Sequence, residues 1–328
     1  MSLNSNNRMP DTKPDIEKIP VGISSCLLGE PVRYDGAHKL NSYIVNTLGD
    51  YFDFVPFCPE MHIGLGVPRE PIRLVEQEDK VRCIGTQTAT LDVTDQLVQC
   101  ANTQQYWHAT VFGYILKQGS PSCGMEQVNI LRNNTLKQDA SGIYAHTMMQ
   151  NFPALPVEEE GRLGDPVLRE NFMQRVCVYS RWDTLQRSSL DKSALCDFHA
   201  RHKLILYSHD QDQARALGKA LADCAAKDIP GFAQNYLTRL MTILKIPATR
   251  NNHVNVLQHI QGYLKTVLSA ADKQELAELI EAYRLGQAPL NTPLTLLRHH
   301  FRSQPDEYIN NSYYMNPHPL ELMLSHSL

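Results

Sequence analysis

The stretch IPVGISSCLLG, residues 19–29, decides the fold class of this chain. IPVGIS is a short apolar run of strand length, and SSCLLG ends it with serines, a cysteine and a glycine. The same form returns in FDFVPF (52–57) before CPE and in TVFGYILK (110–117) before QGSPSCG. IRLV (72–75) and VRCI (81–84) add two apolar runs, and helical patterns lie near 38–48 and from Asp92 onward. Strands alternating with helices predict an α/β layer, a Rossmann-like and mostly parallel sheet covered by helices. The segment EGRLGDPVLRENFMQRVCVYSRW (160–182) then reads as a polar turn and a helix with Pro166 in its first turn.

After about residue 190 the apolar residues recur at helical period through SALCDFHARHKLILYSH, QARALGKALADCAAK, FAQNYLTRLMTIL, HVNVLQHIQGYLKTVL and ADKQELAELIEAYRLG. Gly286 reads as a stop, and Thr292-Pro293 as the hydroxyl cap and first-turn proline of a further helix. The expected division is a tail over 1–16, an α/β domain over 17–185 and an all-α domain over 186–328.

A chain of 328 residues exceeds the usual single domain of roughly 100–200 residues, which agrees with two domains. No uncharged apolar run reaches the ~18 residues of a membrane span, and the polar N-terminus lacks a secretory core, so a cytoplasmic protein without membrane contact is expected. In such a compartment eight cysteines read as thiols or ligands rather than disulfides. A net charge of −4 excludes a generally basic nucleic-acid binder. The charge is uneven, however: residues 190–328 hold 14 Lys/Arg against 13 Asp/Glu, residues 1–189 hold 17 against 22, and nine of the 13 His lie in the C-terminal part. A polyanion would therefore meet that part first.

Cys26, Cys58 and Cys123 each stand where a strand pattern ends, and in an open parallel sheet the carboxyl ends of the strands form the ligand crevice. Neighbouring Gly29, Pro59, Pro121 and Gly124 supply sharp turns there. The other five cysteines fall inside strand or helix patterns and read as buried thiols. Spacing alone leaves the trio open, because it lacks the tight C-x2-C-x2-C of ferredoxins.

SSCLLG…VRYDG, then FCPEMHIGLGVPRE, then LKQGSPSCG, in this order, resemble the TudS-like thiouracil desulfidase family over roughly residues 19–165. The resemblance implies a 4Fe-4S cluster on Cys26, Cys58 and Cys123 with one iron lacking a protein ligand, and catalytic roles for Glu60 and Ser120. Read without it, Glu60 is a helix-start cap and Ser120 a turn cap. Arg33, Tyr34, Asp35 and Arg69 stand next as substrate-orienting groups, or as structural Arg–carboxylate pairs. A thiocarbonyl sulfur is soft and suits an open iron, which acts as a Lewis acid while a carboxylate takes the proton of an attacking water.

FHARHKLILYSHD, HVNVLQHIQGY and PLTLLRHH resemble the helical YbgA-like domain over about 190–310. The fusion matches the RudS-type architecture, which implies 4-thiouridine in tRNA as the substrate and RNA presentation by the helical half. Its donors for phosphates are His202, Lys203, Arg250, His253, Arg298, His299 and Arg302. Tyr207 and Tyr263 read as core more readily than as stacking platforms. Zinc on Cys196, His199 and His202 is disfavoured, because positions 196 and 202 stand about 240° apart around a helix. Three alternatives stay open: a free-thiouracil desulfidase, an RNA-binding protein with a structural or sensing cluster, and a sulfur carrier using Cys123. The sequence leaves the oligomeric state undefined.

Overall fold

The computed structural model describes residues 18–317 except 89 and 189, so the expected 1–16 tail lies outside the described residues. Strands β1 (Ile19–Ser24) and β2 (Phe52–Phe57) frame the short helix α1 (Ser42–Asn46), and α2 (Pro59–His62) follows β2. Then come β3 (Ile72–Gln77), β4 (Lys80–Gly85), α3 (Thr94–Thr103), α4 (Gln105–His108) and β5 (Tyr114–Leu116). β6 (Val128–Arg132), β7 (Thr135–Ala140), α5 (Ile143–Asn151) and β8 (Val157–Glu159) complete the α/β part.

Two four-stranded sheets result. The first has the order β2-β1-β5-β8 and is parallel throughout, as the sequence predicts. The second has the order β4-β3-β6-β7 and is mixed, because IRLV and VRCI pair as an antiparallel hairpin rather than joining the parallel sheet. Both hairpins turn on residues with positive φ, Glu78-Asp79 and Asn133-Asn134, the conformation that tight two-residue turns require.

The helical pattern near 38–48 shrinks to the five residues of α1. Residues 39 and 41 are instead extended against the first cysteine turn, with Lys39 N donating to Cys26 O at 2.8 Å and Asn41 N to Leu27 O at 3.0 Å. Asn41 then caps α1 by accepting from Ile44 N.

Helix α6 (Pro166–Arg187) begins as read, with Asp165 accepting from Val167 N and Leu168 N and Pro166 in the first turn. Its first half buries Phe172, Met173 and Val176 with the β1–β2 core, whereas Val178 and Trp182 join the core of the helical part. That part comprises α7 (Lys192–His209), α8 (Gln211–Asp223), α9 (Ile229–Lys245), α10 (Arg250–Tyr263), α11 (Ala270–Arg284), α12 (Asn291–Ser303) and α13 (Glu307–Asn311). Gly286 ends α11 at φ 77°. The expected Thr292 cap is absent: α12 already starts at Asn291 and carries no side-chain cap, although Pro293 lies in its first turn. Among the described residues no helix is long and apolar enough to cross a membrane.

Candidate active site

Cys26 follows β1, Cys58 follows β2 and Cys123 follows β5, so the three thiols cap three adjacent parallel strands. The chain leaves β1 toward β2 on one side and returns to β5 on the other, which makes this edge the topological switch point where open α/β sheets place their ligands. Local chemistry shapes each turn. Gly29, at φ 95°, ends the single turn Ser25–Leu28, and Pro59 starts α2 immediately after Cys58. At Gly142 a side chain would stand 2.5 Å from the Ser122 backbone, so glycine there lets α5 close on the Cys123 loop.

All three cysteines line one cavity of about 220 Å³, together with Arg33, Tyr34, Glu60, Arg69 and Ser120. Burial pushes the Cys26 thiol up to about 11 and raises Cys58, and it holds Cys123 well above the usual thiol range. Each is raised further by its neighbours: Cys58 acts on Cys26 and on Cys123, and Glu60 acts on Cys58. Three thiolates can therefore coexist here only against concentrated positive charge. The all-thiol donor set suits a soft metal group. Among the described residues no three His, Cys, Asp or Glu side chains close on a single metal ion.

Glu60 is held from both sides. Arg69 donates to Oε2 from Nε at 3.0 Å and from Nη2 at 2.6 Å, and Ser122 Oγ donates to Oε1 at 2.5 Å. Ser122 Oγ lies 3.0 Å from Ser120 Oγ, which also accepts from the backbone N–H groups of Ser122 and Cys123. Ser120, Ser122 and Glu60 thus form one hydrogen-bonded chain beside a cysteine. Sequence reasoning missed Ser122, and the only signal was its place in SPSC, two residues from Ser120. It also missed Lys117, which lines the cavity and pairs with Glu160.

Arg69 is fully engaged, since it also donates to Gly66 O at 2.7 Å and Val32 O at 2.8 Å. It positions Glu60 rather than offering a free guanidinium. Arg33 does reach the cavity, with its guanidinium 5.4 Å from the centre of the Tyr34 ring and Nε buried without a hydrogen bond. Asp35 stands outside the lining, accepting from Ala37 N at 3.0 Å.

The 2-thiouracil desulfurase family matches residues 21–160, and a protein family of unknown function, DUF1722, matches 203–319. The uncharacterized protein YbgA of Escherichia coli (strain K12) is 34% identical over 154 residues, covering 47% of this chain and 91% of that protein. The chain belongs to the family of YbgA, with an added part, residues 21–160, that matches the 2-thiouracil desulfurase family. The uncharacterized protein YbbK of Bacillus subtilis (strain 168) is 32% identical over 137 residues, covering 39% of this chain and 88% of its own. A solved structure titled 4Fe-4S-dependent thiouracil desulfidase TudS aligns at 29% identity with a TM-score of 0.38, covering 45% of this chain and 94% of that one.

In the YbgA-like part the structure corrects the sequence reading. His202 is fully buried, with Nδ1 2.7 Å from Phe198 O and its ring 4.1 Å from that of Phe198, so it is withdrawn from the phosphate donors. Three others hold internal partners: Arg250 donates to Tyr283 O at 2.5 Å, Arg298 to Met315 O at 2.7 Å, and His253 Nδ1 lies 2.9 Å from Tyr314 Oη. Lys203 Nζ stands 5.5 Å from the centre of the Tyr207 ring. Of the seven, Arg250, His299 and Arg302 are exposed. His199 Nδ1 lies 2.9 Å from Tyr236 Oη, while Cys196 is exposed.

Proposed function

We propose that the chain is an iron–sulfur-dependent desulfidase that hydrolyses the C–S bond of a thiolated uracil, with 4-thiouridine in tRNA as the substrate. One observation carries the reading: the three cysteines at the ends of β1, β2 and β5 open into the same cavity as Glu60 and Ser120, which buried Ser122 links by hydrogen bonds. Cys26, Cys58 and Cys123 are the residues that would hold a 4Fe-4S cluster, with one iron lacking a protein ligand. When bound, the cluster supplies a thiophilic Lewis acid without net redox change.

The protein's own groups manage the proton and the orientation. Arg69 fixes Glu60 Oε2, which leaves Oε1 as the acceptor facing Ser122. A water beside Ser120 loses its proton through Ser120 and Ser122 to Glu60 as its oxygen adds to the ring carbon. The carbon keeps that oxygen and releases sulfur as hydrosulfide, so thiouracil and water give uracil and hydrogen sulfide. Arg33, whose Nε faces Asp35 Oδ1 at 3.7 Å, and Tyr34 orient the base from the cavity wall. A sulfur-carrier role for Cys123 is disfavoured by its buried thiol, held far above the range of activated nucleophilic thiols.

Free thiouracil is the second reading, favoured by the internal partners of most expected RNA donors. Sulfide release by anaerobically prepared protein from 2-thiouracil, 4-thiouridine and thiolated tRNA separates the two. Faster turnover of tRNA supports the RNA substrate, turnover of the free base alone supports the second reading, and no release from any of the three refutes both.

A further inference from the structure

A second cavity, of about 500 Å³, lies between the edge strand β8, helix α6 and the end of α9. Its apolar wall includes Met149, Phe152, Leu168 and Met241. Its polar wall is unusual, because Arg175 reaches it with a side chain only 6% exposed and with Nε buried and unpartnered. The guanidinium has one carboxylate, Glu158, at 3.5 Å, and that carboxylate is held more closely by Arg162 Nε at 2.6 Å. Arg162 also pairs with Glu126 through Nη1, so the two arginines share two carboxylates, and Lys245 adds a third positive charge to the lining. A buried guanidinium with vacant donors is costly unless an acceptor meets it, and its planar fork matches the oxygens of a carboxylate or phosphate.

We propose that this cavity binds a small organic anion, its carboxylate or phosphate head on Arg175 and its apolar body against Phe152 and Met241. The inference is independent of the reaction in the cysteine cavity.

Calorimetric titration of the full-length protein tests it, with phenyl phosphate and phenylacetate as probes, and inorganic phosphate and benzyl alcohol as head alone and body alone. At least one of the first two should bind about tenfold more tightly than head or body alone. Which of them binds better identifies the head. Arg175→Met should weaken binding about tenfold or more, and Arg175→Lys, which keeps the charge and loses the fork, should weaken it by less. No binding of either probe by the parent, or equal affinity in the parent and both variants, overturns the site. If the Met variant does not fold, parent crystals soaked with the tighter probe decide: density on the Arg175 guanidinium supports the proposal, and density elsewhere or none overturns it.

Discussion

Replacing Ser122 by Ala removes one hydroxyl from a position with no solvent exposure. The methyl group fills nearly the same volume, so the change acts through hydrogen bonds rather than through a cavity. Three contacts vanish: the 2.5 Å donation to Glu60 Oε1, the 3.0 Å link to Ser120 and the 3.7 Å donation to Cys123 Sγ. A hydrogen bond to a charged group contributes about 1.5–3 kcal/mol, so a modest fall in stability is expected. The larger effect is on catalysis, because without Ser122 the route from Ser120 to Glu60 is cut. Positioned proton transfer contributes roughly 100- to 10,000-fold, and the loss should lie in that range, lowered where a water enters the gap. Single-turnover sulfide release from 2-thiouracil, at matched iron content under anaerobic conditions, measures it. Because the residues act as one chain, Ser120→Ala/Ser122→Ala should be no slower than the slower single variant. Parent-like turnover by Ser122→Ala, or losses that multiply in the double variant, would refute the relay.

Glu60→Gln should keep iron and lose turnover by roughly the same 100- to 10,000-fold, and parent-like activity at equal iron loading would move the base elsewhere. Trp182→Ala should cost about 3–5 kcal/mol in denaturant unfolding, because Trp182 stacks on Tyr236 with centroids 5.7 Å apart and meets Phe198 edge-on in the helical core. Burial lowers His202 to about 3 and His209 to about 4, whereas both take a proton near pH 6.5 when unfolded. The unfolded chain therefore binds more protons below pH 6.5. Stability should be full above that pH and fall toward pH 4, by up to about 1.4 kcal/mol per pH unit for each histidine. A flat unfolding free energy between pH 7 and 5 would contradict this.

The parallel sheet was legible because each of β1, β2 and β5 lies in an apolar run that stops at a turn holding a cysteine, and the chemistry of the stop is as local as the run itself. The mixed sheet was not, since IRLV and VRCI look alike whether they pair with each other or with β1. The two positive-φ asparagines at 133 and 134 were the overlooked sign of a hairpin. Within the cavity, the strand ends pointed to Cys26, Cys58 and Cys123 and the family resemblance to Glu60 and Ser120, but hydrogen-bond partners are long-range. That Arg69 faces Glu60 and that Ser122 bridges to it emerges only from packing. The helical half misled for the same reason. Period 3.6 identifies a helix without saying which polar residues a neighbouring helix will cover, and His202 lies on a covered face.

The central claim is that Cys26, Cys58 and Cys123 together hold an iron–sulfur cluster, and iron and acid-labile sulfide content of anaerobically reconstituted protein tests it most directly. About four of each per parent chain, with absorption near 400 nm, is expected. Each of Cys26→Ala, Cys58→Ala and Cys123→Ala should lose both, while Cys83→Ala and Cys224→Ala keep them. A parent that takes up no iron, or equal loss from all five variants, would contradict the assignment.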